Sequence, residues 1–304
     1  MVVQFVTQTY IWKGTCMEPE RTLRVFDDAT AIVTGAASGI GRGLVEELAK
    51  RGCEIVLADL QMESAEEIAS AINAAGGRAT AAEVDVVNFS ELEKLVTETV
   101  RRTGRLDYMF NNAGIAINGN VSHYSIEDWR QILEVNLHGV INGVQAAYQV
   151  MMNQGFGHIV NTASFAGLVP TPGNVAYAST KHAIVGLSTS LRAEAAMLGV
   201  RVSVLCPSFV RTAILEDGGK FGRSLLDLSP DQKRRLLESY EKFKPMPPNT
   251  FAAKALDLIA KNKAIVVLPS RWKIIWFFCR MFPSRSISIV RKSFQDMQRE
   301  LDIT

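Results

Sequence analysis

The chain has 304 residues, 47% of them hydrophobic and 21% charged, a composition that excludes a disordered protein. Its 33 basic and 31 acidic residues leave a net charge of +2, which argues against a nucleic-acid partner. The four cysteines lie far apart without a CxxC pair and the four histidines are scattered, so neither a disulfide framework nor a metal site is expected, and a cytoplasmic, reducing compartment is favoured.

The first residues carry no convincing targeting signal. Residues 1–16 lack the basic stretch and apolar run of a secretory signal, and we predict that they form a disordered tail or follow an upstream start codon. We assign the whole of 1–27 to an N-terminal tail. Since no run of about 18 apolar residues occurs, no membrane-spanning helix is expected.

Short apolar runs then alternate with longer amphipathic segments. Runs rich in Val and Ile predict buried strands at Thr30–Thr34, Cys53–Asp59, Thr80–Val86, Asp107–Asn111, His158–Ala163, Val200–Cys206 and Ala264–Leu268. Helices are predicted near 40–51, 63–75, 89–103, 126–153, 175–198 and 248–262. This alternation predicts an α/β, Rossmann-type domain over 28–270, a doubly wound parallel sheet of about seven strands with helices on both faces. Ligands bind such sheets beyond the carboxyl ends of the strands.

Residues 212–246 interrupt the alternation. They contain three glycines, a charged helical stretch and the Pro-rich sequence KPMPP. Because this insertion follows a strand end, we predict a substrate lid. A surface helical hairpin without a role in binding is the alternative interpretation.

A glycine-rich turn follows the first strand and opens the first helix. Its glycines permit a tight turn and a close approach of phosphate to backbone N–H groups, where the helix N-terminus favours negative charge. The predicted nucleotide-binding residues of this turn are Gly35, Ser38, Gly39, Ile40 and Gly41. Asp59 ends the second strand, about 20 residues on, and can accept hydrogen bonds from ribose hydroxyls. Its charge would repel a 2′-phosphate, so NAD is predicted rather than NADP.

Three motifs occur in order along the chain: TGxxxGxG at 34–41, NNAG at 111–114 and YxxxK at 177–181. From about residue 28 to 270 the sequence resembles the short-chain dehydrogenase/reductase family, in its single-domain branch. The resemblance implies that Asp85 approaches the adenine and that Asn112 lines the nucleotide cleft. It also implies cofactor contacts for Ala113, Gly114, Tyr177, Lys181, Pro207, Val210 and Thr212. Pro207-Ser208 departs from the Pro-Gly of the family.

The YxxxK pair indicates acid–base chemistry. Tyr177 and Lys181 lie four residues apart in a helical stretch, so their side chains share one face. We expect the nearby ammonium and an oxidised nicotinamide to lower the pKa of the Tyr177 phenol, which could then accept a proton from an alcohol. Ser164, after the fifth predicted strand, could orient the substrate oxygen. By resemblance, Lys181 contacts the nicotinamide ribose, and Asn136 is the fourth catalytic residue, holding a water that relays protons from Lys181.

Residues near Ser164 and Pro207 are mostly apolar. They favour a lipophilic secondary alcohol or ketone, steroid-like or cyclic, as the substrate, although ordinary packing would leave the same pattern. The pocket candidates are Phe165, Ala166, Leu168, Phe209, Ile214 and Leu215.

The tail 271–304 is predicted to be a helical extension. It holds seven basic and three acidic residues, a net charge of +4, and its segment RWKIIWFFCRMF is apolar nearly all round. A helix that packs on the core or a subunit is favoured over a membrane-surface anchor at 271–285. The resemblance further implies a homodimer or homotetramer through 126–153 and 175–198.

These patterns together predict an NAD-dependent oxidoreductase acting on a CH–OH group. Two other hypotheses stay open: a catalytically silent NAD(H)-sensing or scaffolding protein, and an enzyme of the sugar epimerase type. The complete set of Ser164, Tyr177, Lys181 and Asn136 disfavours the first. The glycine spacing and the lack of a large C-terminal domain disfavour the second.

Overall fold

The computed structural model describes residues 22–302, and a parallel sheet forms its centre. The strands run, in chain order, β1 Thr30–Thr34, β2 Glu54–Asp59, β3 Arg78–Glu83, β4 Tyr108–Asn111, β5 Ile117–Asn118, β6 Gly157–Thr162, β7 Val200–Pro207, β8 Arg223–Ser224 and β9 Ile265–Leu268. Seven of them form the main sheet in the order β3-β2-β1-β4-β6-β7-β9, and every pair is parallel. The prediction of a doubly wound sheet is confirmed.

Helices fill the connections and continue past the last strand. They are α1 Gly39–Lys50, α2 Met62–Ala74, α3 Phe89–Thr103, α4 Ile126–Leu133, α5 Gly139–Gln154, α6 Val175–Ala195, α7 Ala213–Asp217, α8 Pro230–Glu241, α9 Pro248–Ala260, α10 Trp272–Met281 and α11 Pro283–Glu300. The helix predicted over 126–153 is therefore interrupted: a π-helical turn, Glu134–His138, separates α4 from α5. Across 22–302, every helix is too short or too polar to cross a lipid bilayer.

The sheet is buried on both faces, which explains its uninterrupted apolar strands. Alternate residues of β1 point to opposite sides, with Val33 in the core layer formed with α1 and α9 and Ile32 in the layer formed with α3 and α5. Strand order reverses between β1 and β4, so the loops after these two strands diverge and open a crevice at their carboxyl ends.

The packed chain begins earlier than the predicted domain start at residue 28. Phe26 is only 3% exposed and stacks on Tyr108 of β4 with ring centroids 5.2 Å apart. The backbone N–H of Arg24 donates to the buried carboxylate of Asp107 at 3.1 Å. Aromatic burial therefore draws residues assigned to the tail into the core. The predicted tail at 1–16 lies outside the described residues.

The lid region and the tail add elements beside the sheet. The predicted insertion 212–246 contains α7, β8 and α8, and β8 pairs with β5 in a separate two-stranded ladder. The tail forms α10 and α11, of which α10 packs near the end of β9. Both additions lie at or beyond the carboxyl ends of the last strands.

Candidate active site

The glycine-rich turn between β1 and α1 is shaped by close backbone contacts. Gly35 and Gly39 adopt φ values of +65° and +53°, which disfavour other residues. A Cβ on Gly41 would lie 1.9 Å from the carbonyl oxygen of Gly35, so only glycine lets α1 start against the turn. The side chain of Ser38 makes no capping hydrogen bond, which leaves the first N–H groups of α1 directed toward the crevice.

Asp59 closes this turn from the end of β2. Its carboxylate accepts hydrogen bonds from the backbone N–H of Ala37 and from that of Gln61, each at 2.9 Å. The side chain is almost fully buried but still borders the crevice, and the exposed Leu60 follows it. A fixed negative charge therefore lies beside the turn.

The NNAG segment is tied to β1 by Thr34. The hydroxyl of Thr34 accepts from the backbone N–H groups of Asn112 and Ala113 at 3.0 and 3.1 Å. The amide of Asn112 donates to the Thr34 carbonyl at 3.1 Å, and its oxygen accepts from Thr162 at 3.3 Å. This network holds the ends of β1, β4 and β6 together.

Tyr177 and Lys181 occupy one turn near the start of α6. The Lys181 ammonium is buried, lies 5.4 Å from the centroid of the Tyr177 ring, and donates to the Thr162 carbonyl at 3.0 Å. The helix thus brings both groups against the end of β6, where the network of Thr34 and Asn112 also ends.

Burial controls both of these groups. It lowers the pKa of Lys181 to about 8 and raises the pKa of Tyr177 above its usual value, while a hydrogen bond from Ser164 lowers the latter. The prediction that the ammonium and an oxidised nicotinamide together lower the pKa of Tyr177 stays a prediction. Burial thus disfavours the charged form of each group, the phenolate of Tyr177 and the ammonium of Lys181.

Ser164 lies at the end of β6 and faces the same space. Its hydroxyl accepts from the backbone N–H of Ala166 at 3.1 Å and lies 3.5 Å from the Pro207 carbonyl at the end of β7. These contacts hold the short 3-10 turn Phe165–Gly167 and keep the hydroxyl beside the Tyr177 phenol.

Asn136 is fully buried in the π-helical turn between α4 and α5. Its side-chain oxygen accepts from the backbone N–H of Ile115 at 2.8 Å, and its amide donates to the Ile115 carbonyl at 2.9 Å. A Cβ on Gly114 would lie 3.2 Å from this oxygen and 3.5 Å from the Lys181 ammonium. The Asn136 side chain thus holds the loop after β4, next to Lys181, and π-helical turns often mark such functional sites.

The crevice forms one cleft with a volume of about 500 Å³. It brings together most of the residues predicted from the sequence, namely Gly35, Ser38, Gly39, Ile40, Asp59, Asp85, Asn112, Ala113, Gly114, Tyr177, Lys181, Pro207 and Thr212. Gly41 lies behind the turn, and the side chain of Val210 packs into the core rather than into the cleft. Ser164 and Asn136 are not part of this lining; Asn136 is fully buried, and Ser164 lies beside the Tyr177 phenol.

The insertion after β7 lies over this cleft. The methyl group of Thr212 lies 3.2 Å from the point where a Cβ on Gly39 would stand, so the start of α7 faces the glycine-rich turn. Lys220 and Phe221 also border the cleft. Arg223 pairs with the buried Asp128, which attaches the insertion to α4.

The predicted apolar pocket is only partly present. Ile214 borders the cleft, but Phe165 and Leu168 pack into a core cluster with Trp272 and Trp276 of α10. Phe209 stacks on Phe243 with centroids 4.5 Å apart. For these residues the packing alternative describes the structure better.

Sequence reasoning missed several cleft residues. The apolar Ile115 and Phe221 line the cleft, and the basic Arg42, Arg211 and Lys220 line it as well. Ile115 follows NNAG directly and could have been found from that position. Phe221 and Lys220 carry no local signal, because only the path of the insertion brings them over the cleft.

A parallel doubly wound sheet whose glycine-rich turn, strand-end acid and Tyr–Lys pair share one cleft defines the class of dinucleotide-dependent oxidoreductases. The family model for short chain dehydrogenase matches residues 29–220. An uncharacterized oxidoreductase of Listeria innocua is 38% identical over 187 residues, which are 61% of this chain and 75% of that protein. A cyclohexanol dehydrogenase of an Acinetobacter species is 33% identical over 193 residues, 63% and 77% of the two chains.

A solved structure agrees with the fold. A short-chain dehydrogenase/reductase from Burkholderia phymatum, in complex with NAD, aligns with a TM-score of 0.75 and 29% identity, covering 83% of this chain and 93% of that one. The chain belongs to the short-chain dehydrogenase family. The prediction of an oxidoreductase that acts on CH–OH donors is thereby confirmed.

Proposed function

We propose that this protein transfers a hydride between NAD and a lipophilic secondary alcohol or its ketone. The observation that carries the proposal is the single cleft in which Tyr177 and Lys181 stand opposite the turn of Gly39 and the carboxylate of Asp59. A nucleotide on the turn and a substrate at Tyr177 would therefore meet within one space. A catalytically silent sensor would not need the complete set of Ser164, Tyr177, Lys181 and Asn136.

The cleft fits a dinucleotide. The uncapped first turn of α1 offers N–H groups and a positive helix end to a pyrophosphate. Because Gly39 has no side chain, the space between it and Thr212 stays open. A Cβ at residue 39 would lie 3.2 Å from the Thr212 methyl group and fill this space. These features support the proposed roles of Gly35, Ser38, Gly39 and Thr212.

NAD is preferred over NADP in this proposal. Asp59 places a fixed negative charge where the adenosine ribose would lie, and that charge would repel a 2′-phosphate. Leu60, the next residue, offers no cation there. The NAD bound by the Burkholderia relative supports the same choice.

Residues of this chain would remove the proton of the alcohol. NAD, when bound, would accept a hydride from the alcohol carbon. The proton on the alcohol oxygen must then be removed as well. Tyr177 would accept that proton at its phenol oxygen, and Ser164 would donate a hydrogen bond to the substrate oxygen. Lys181, held by the Thr162 carbonyl, would stabilise the phenolate. Asn136 would act as a positioning residue that fixes the loop of Gly114 and Ile115 beside Lys181.

The substrate end of the cleft favours an apolar ring. Ile115, Ile214 and Phe221 give that end a hydrophobic wall. The cyclohexanol dehydrogenase relative supports a cyclic secondary alcohol. We propose that 212–246 serves as the substrate lid of the predicted domain 28–270, with 271–304 as an extension. The packed Arg24 and Phe26 extend this domain at its start.

Assembly and compartment belong to the same proposal. A homodimer or homotetramer through α4, α5 and α6 is supported by the exposed Ile126, Ile141 and Val175 on these helices. Cys53, Cys206 and Cys279 are free thiols, which supports a reducing, cytoplasmic compartment. Light scattering after size-exclusion chromatography tests the assembly.

The decisive variant is Tyr177→Phe. We expect turnover with NAD to fall by at least about a thousandfold while NADH still binds, because only the proton-accepting oxygen is lost. Nicotinamide absorbance and a fluorescence titration measure the two quantities. Tyr148→Phe is the matched control, since the Tyr148 hydroxyl has no hydrogen-bond partner among the described residues. Normal turnover of Tyr177→Phe would disprove the assignment.

A substrate panel tests the other half of the proposal. Cyclic, steroid-like and short open-chain secondary alcohols are compared at saturating NAD. We expect kcat/KM to rise with the apolar area of the ring, because ring carbons leave water on binding. A preference for the short polar alcohols would contradict the proposed substrate class.

A further inference from the structure

Helix α10 has two opposite apolar faces, and only one of them is packed. Trp272, Trp276 and Cys279 recur at helical spacing and turn toward the protein, where the two tryptophans join the core cluster of Phe165. We call the opposite side the outer face: it consists of Ile274, Phe277, Phe278 and Met281, with Phe282 just beyond the helix.

The outer face is open over its whole length. Ile274 is 75% exposed and Phe277 66%, and Phe278, Met281 and Phe282 are exposed as well. Phe278 and Phe282 lie with ring centroids 5.5 Å apart, so the surface is continuous. A soluble domain rarely presents this many adjacent large apolar side chains without a binding role.

Positive charge surrounds the outer face. Residues 271–295 contain six basic residues and no acidic one, whereas the whole chain has a net charge of only +2. Lys273 and Arg280 lie seven residues apart on one flank of α10, between its packed and outer faces. Both are exposed, and no carboxylate of residues 22–302 forms an ion pair with either.

We propose that the outer face of α10 docks this protein on an anionic lipid membrane. A ten-residue helix is about 15 Å long, too short to span a hydrocarbon core of about 30 Å, but it can lie in the headgroup region with its apolar side down. Lys273 and Arg280 would then reach headgroup phosphates from the flank, with their alkyl stems along the apolar surface. The proposal does not depend on the reaction proposed above.

The charge pattern favours lipid over a second copy of the chain. A two-fold contact through the outer face would bring each set of basic residues close to its copy, with no acid from 271–295 to balance them. An anionic bilayer supplies the opposite charge over its whole surface. Only an anionic bilayer would both cover the apolar outer face and neutralise the basic flank.

The docking surface is firmly attached to the catalytic domain. Trp272 packs on Phe165, the residue after Ser164, with centroids 5.2 Å apart. At the other end of the tail, Gln232 of α8 donates to the Leu301 carbonyl at 2.7 Å. The outer face therefore belongs to a helix that is held in place on the rest of the protein.

Vesicle flotation of the full chain tests the proposal. We expect binding to vesicles of phosphatidylcholine with phosphatidylglycerol, weaker binding to phosphatidylcholine alone, and release from the mixed vesicles by high salt. Protein that stays with the unbound fraction for both vesicle types would overturn the proposal.

Two double variants separate the contributions. Ile274→Gln with Phe277→Gln removes half of the helical outer face and should weaken binding to mixed vesicles by at least about tenfold. Lys273→Glu with Arg280→Glu should weaken it by at least about tenfold on mixed vesicles and much less on neutral ones. Far-ultraviolet circular dichroism and NADH binding show that each variant is folded.

Matched controls lie elsewhere on the surface. Met197→Gln with Leu198→Gln removes two exposed apolar side chains, and Lys94→Glu with Arg101→Glu reverses two exposed charges at the same seven-residue spacing on α3. Neither should change vesicle binding by more than about twofold. Equal losses in controls and α10 variants would overturn the proposal. The proposal would also be overturned if wild type did not bind vesicles and Ile274→Gln with Phe277→Gln dissociated an oligomer. The outer face would then be covered by a second copy of the chain.

Discussion

The proposed cofactor side of the cleft, built by β1 to β4, and the proposed substrate side, built by the chain beyond β7, are made in different ways. On the cofactor side the site residues lie at strand ends or in the short loops after them, as Asp59 ends β2 and Gly35 follows β1. On the substrate side Phe221 reaches the cleft only because α7 and β8 cross over it. The first side is fixed by strand register, and the second depends on long-range packing of an insertion.

Energetics differ in the same way. The cofactor side is held by buried or partly buried hydrogen bonds to the backbone, such as those of Asp59 and Thr34. The insertion is held by side chains that are partly exposed, such as Arg211 with Glu241 at 2.7 Å, whose ion pair contributes little in water. We therefore expect changes on the cofactor side and at the proposed catalytic centre to have large effects and changes in the insertion to have small ones.

The largest effect is expected for Lys181→Met, which tests the centre between the two sides. Turnover should fall by about a thousandfold or more, because the proposed phenolate loses its cation. The same change should raise the free energy of unfolding at pH 7 by on the order of 2 kcal/mol, because burial lowers the pKa of Lys181 to about 8 and its charge opposes folding. Activity assays and chemical denaturation measure both.

The size of this stability change depends on pH. Below pH 8 both folded and unfolded states carry the Lys181 charge, so the gain in Lys181→Met is complete. It should shrink between pH 8 and the ordinary lysine pKa of 10.5, where only the unfolded state stays protonated. Lys261→Met, at an exposed lysine, should change neither activity nor stability. A gain that persists above pH 10.5 would contradict the burial argument.

Gly41→Ala should have the next largest effect. The added methyl group would lie 1.9 Å from the Gly35 carbonyl oxygen, so the turn must move away from α1. We expect NADH affinity to drop by about a hundredfold or the fold to lose at least about 2 kcal/mol. Fluorescence titration and thermal unfolding distinguish these results.

Gly186→Ala provides the comparison for Gly41→Ala. Nothing lies within 4 Å of a Cβ at Gly186 in α6, and alanine is the better helix former there. This variant should unfold at the same or a higher temperature than wild type. Wild-type NADH affinity and stability in Gly41→Ala would show that the turn is less constrained than its contacts indicate.

Asp59→Asn should reduce the proposed preference for NAD over NADP by about tenfold. The amide removes the charge that would repel a 2′-phosphate while its oxygen can still accept a backbone N–H. The ratio of kcat/KM for the two nucleotides measures the change. Asp85→Asn also neutralises a cleft carboxylate and should leave this ratio as in wild type; an equal shift in both variants would mean that Asp59 has no special position.

Phe221→Ala should give the smallest effect and tests the substrate side alone. Removing this ring from the cleft wall should raise KM for a cyclic alcohol by about three- to tenfold, with the Kd of NADH unchanged. Phe89→Ala, at an exposed phenylalanine of α3, is the control for surface loss of a ring. Weaker NADH binding in Phe221→Ala would place the lid over the nucleotide instead.

The sequence determined the parts of this protein that depend on local order. Alternating strands and helices fixed the sheet, and because parallel strands all end at one edge, the glycine-rich turn, Asp59, Asn112, Tyr177 and Ser164 had to meet there. Strand bounds shifted by one to three residues, as for β3, whose ladder with β2 starts at Arg78. The family followed from the order of three short motifs.

Only the tertiary structure decided how groups distant in sequence compete for burial. It placed Asn136 in a π-helical turn, where its side chain binds the Ile115 backbone. It also made burial the main influence on the pKa values of Tyr177 and Lys181. It also turned Trp272 inward and Ile274 outward on a helix whose sequence is apolar on both sides. A local pattern records which residues avoid water, but the choice of face depends on which surfaces the rest of the chain has left uncovered.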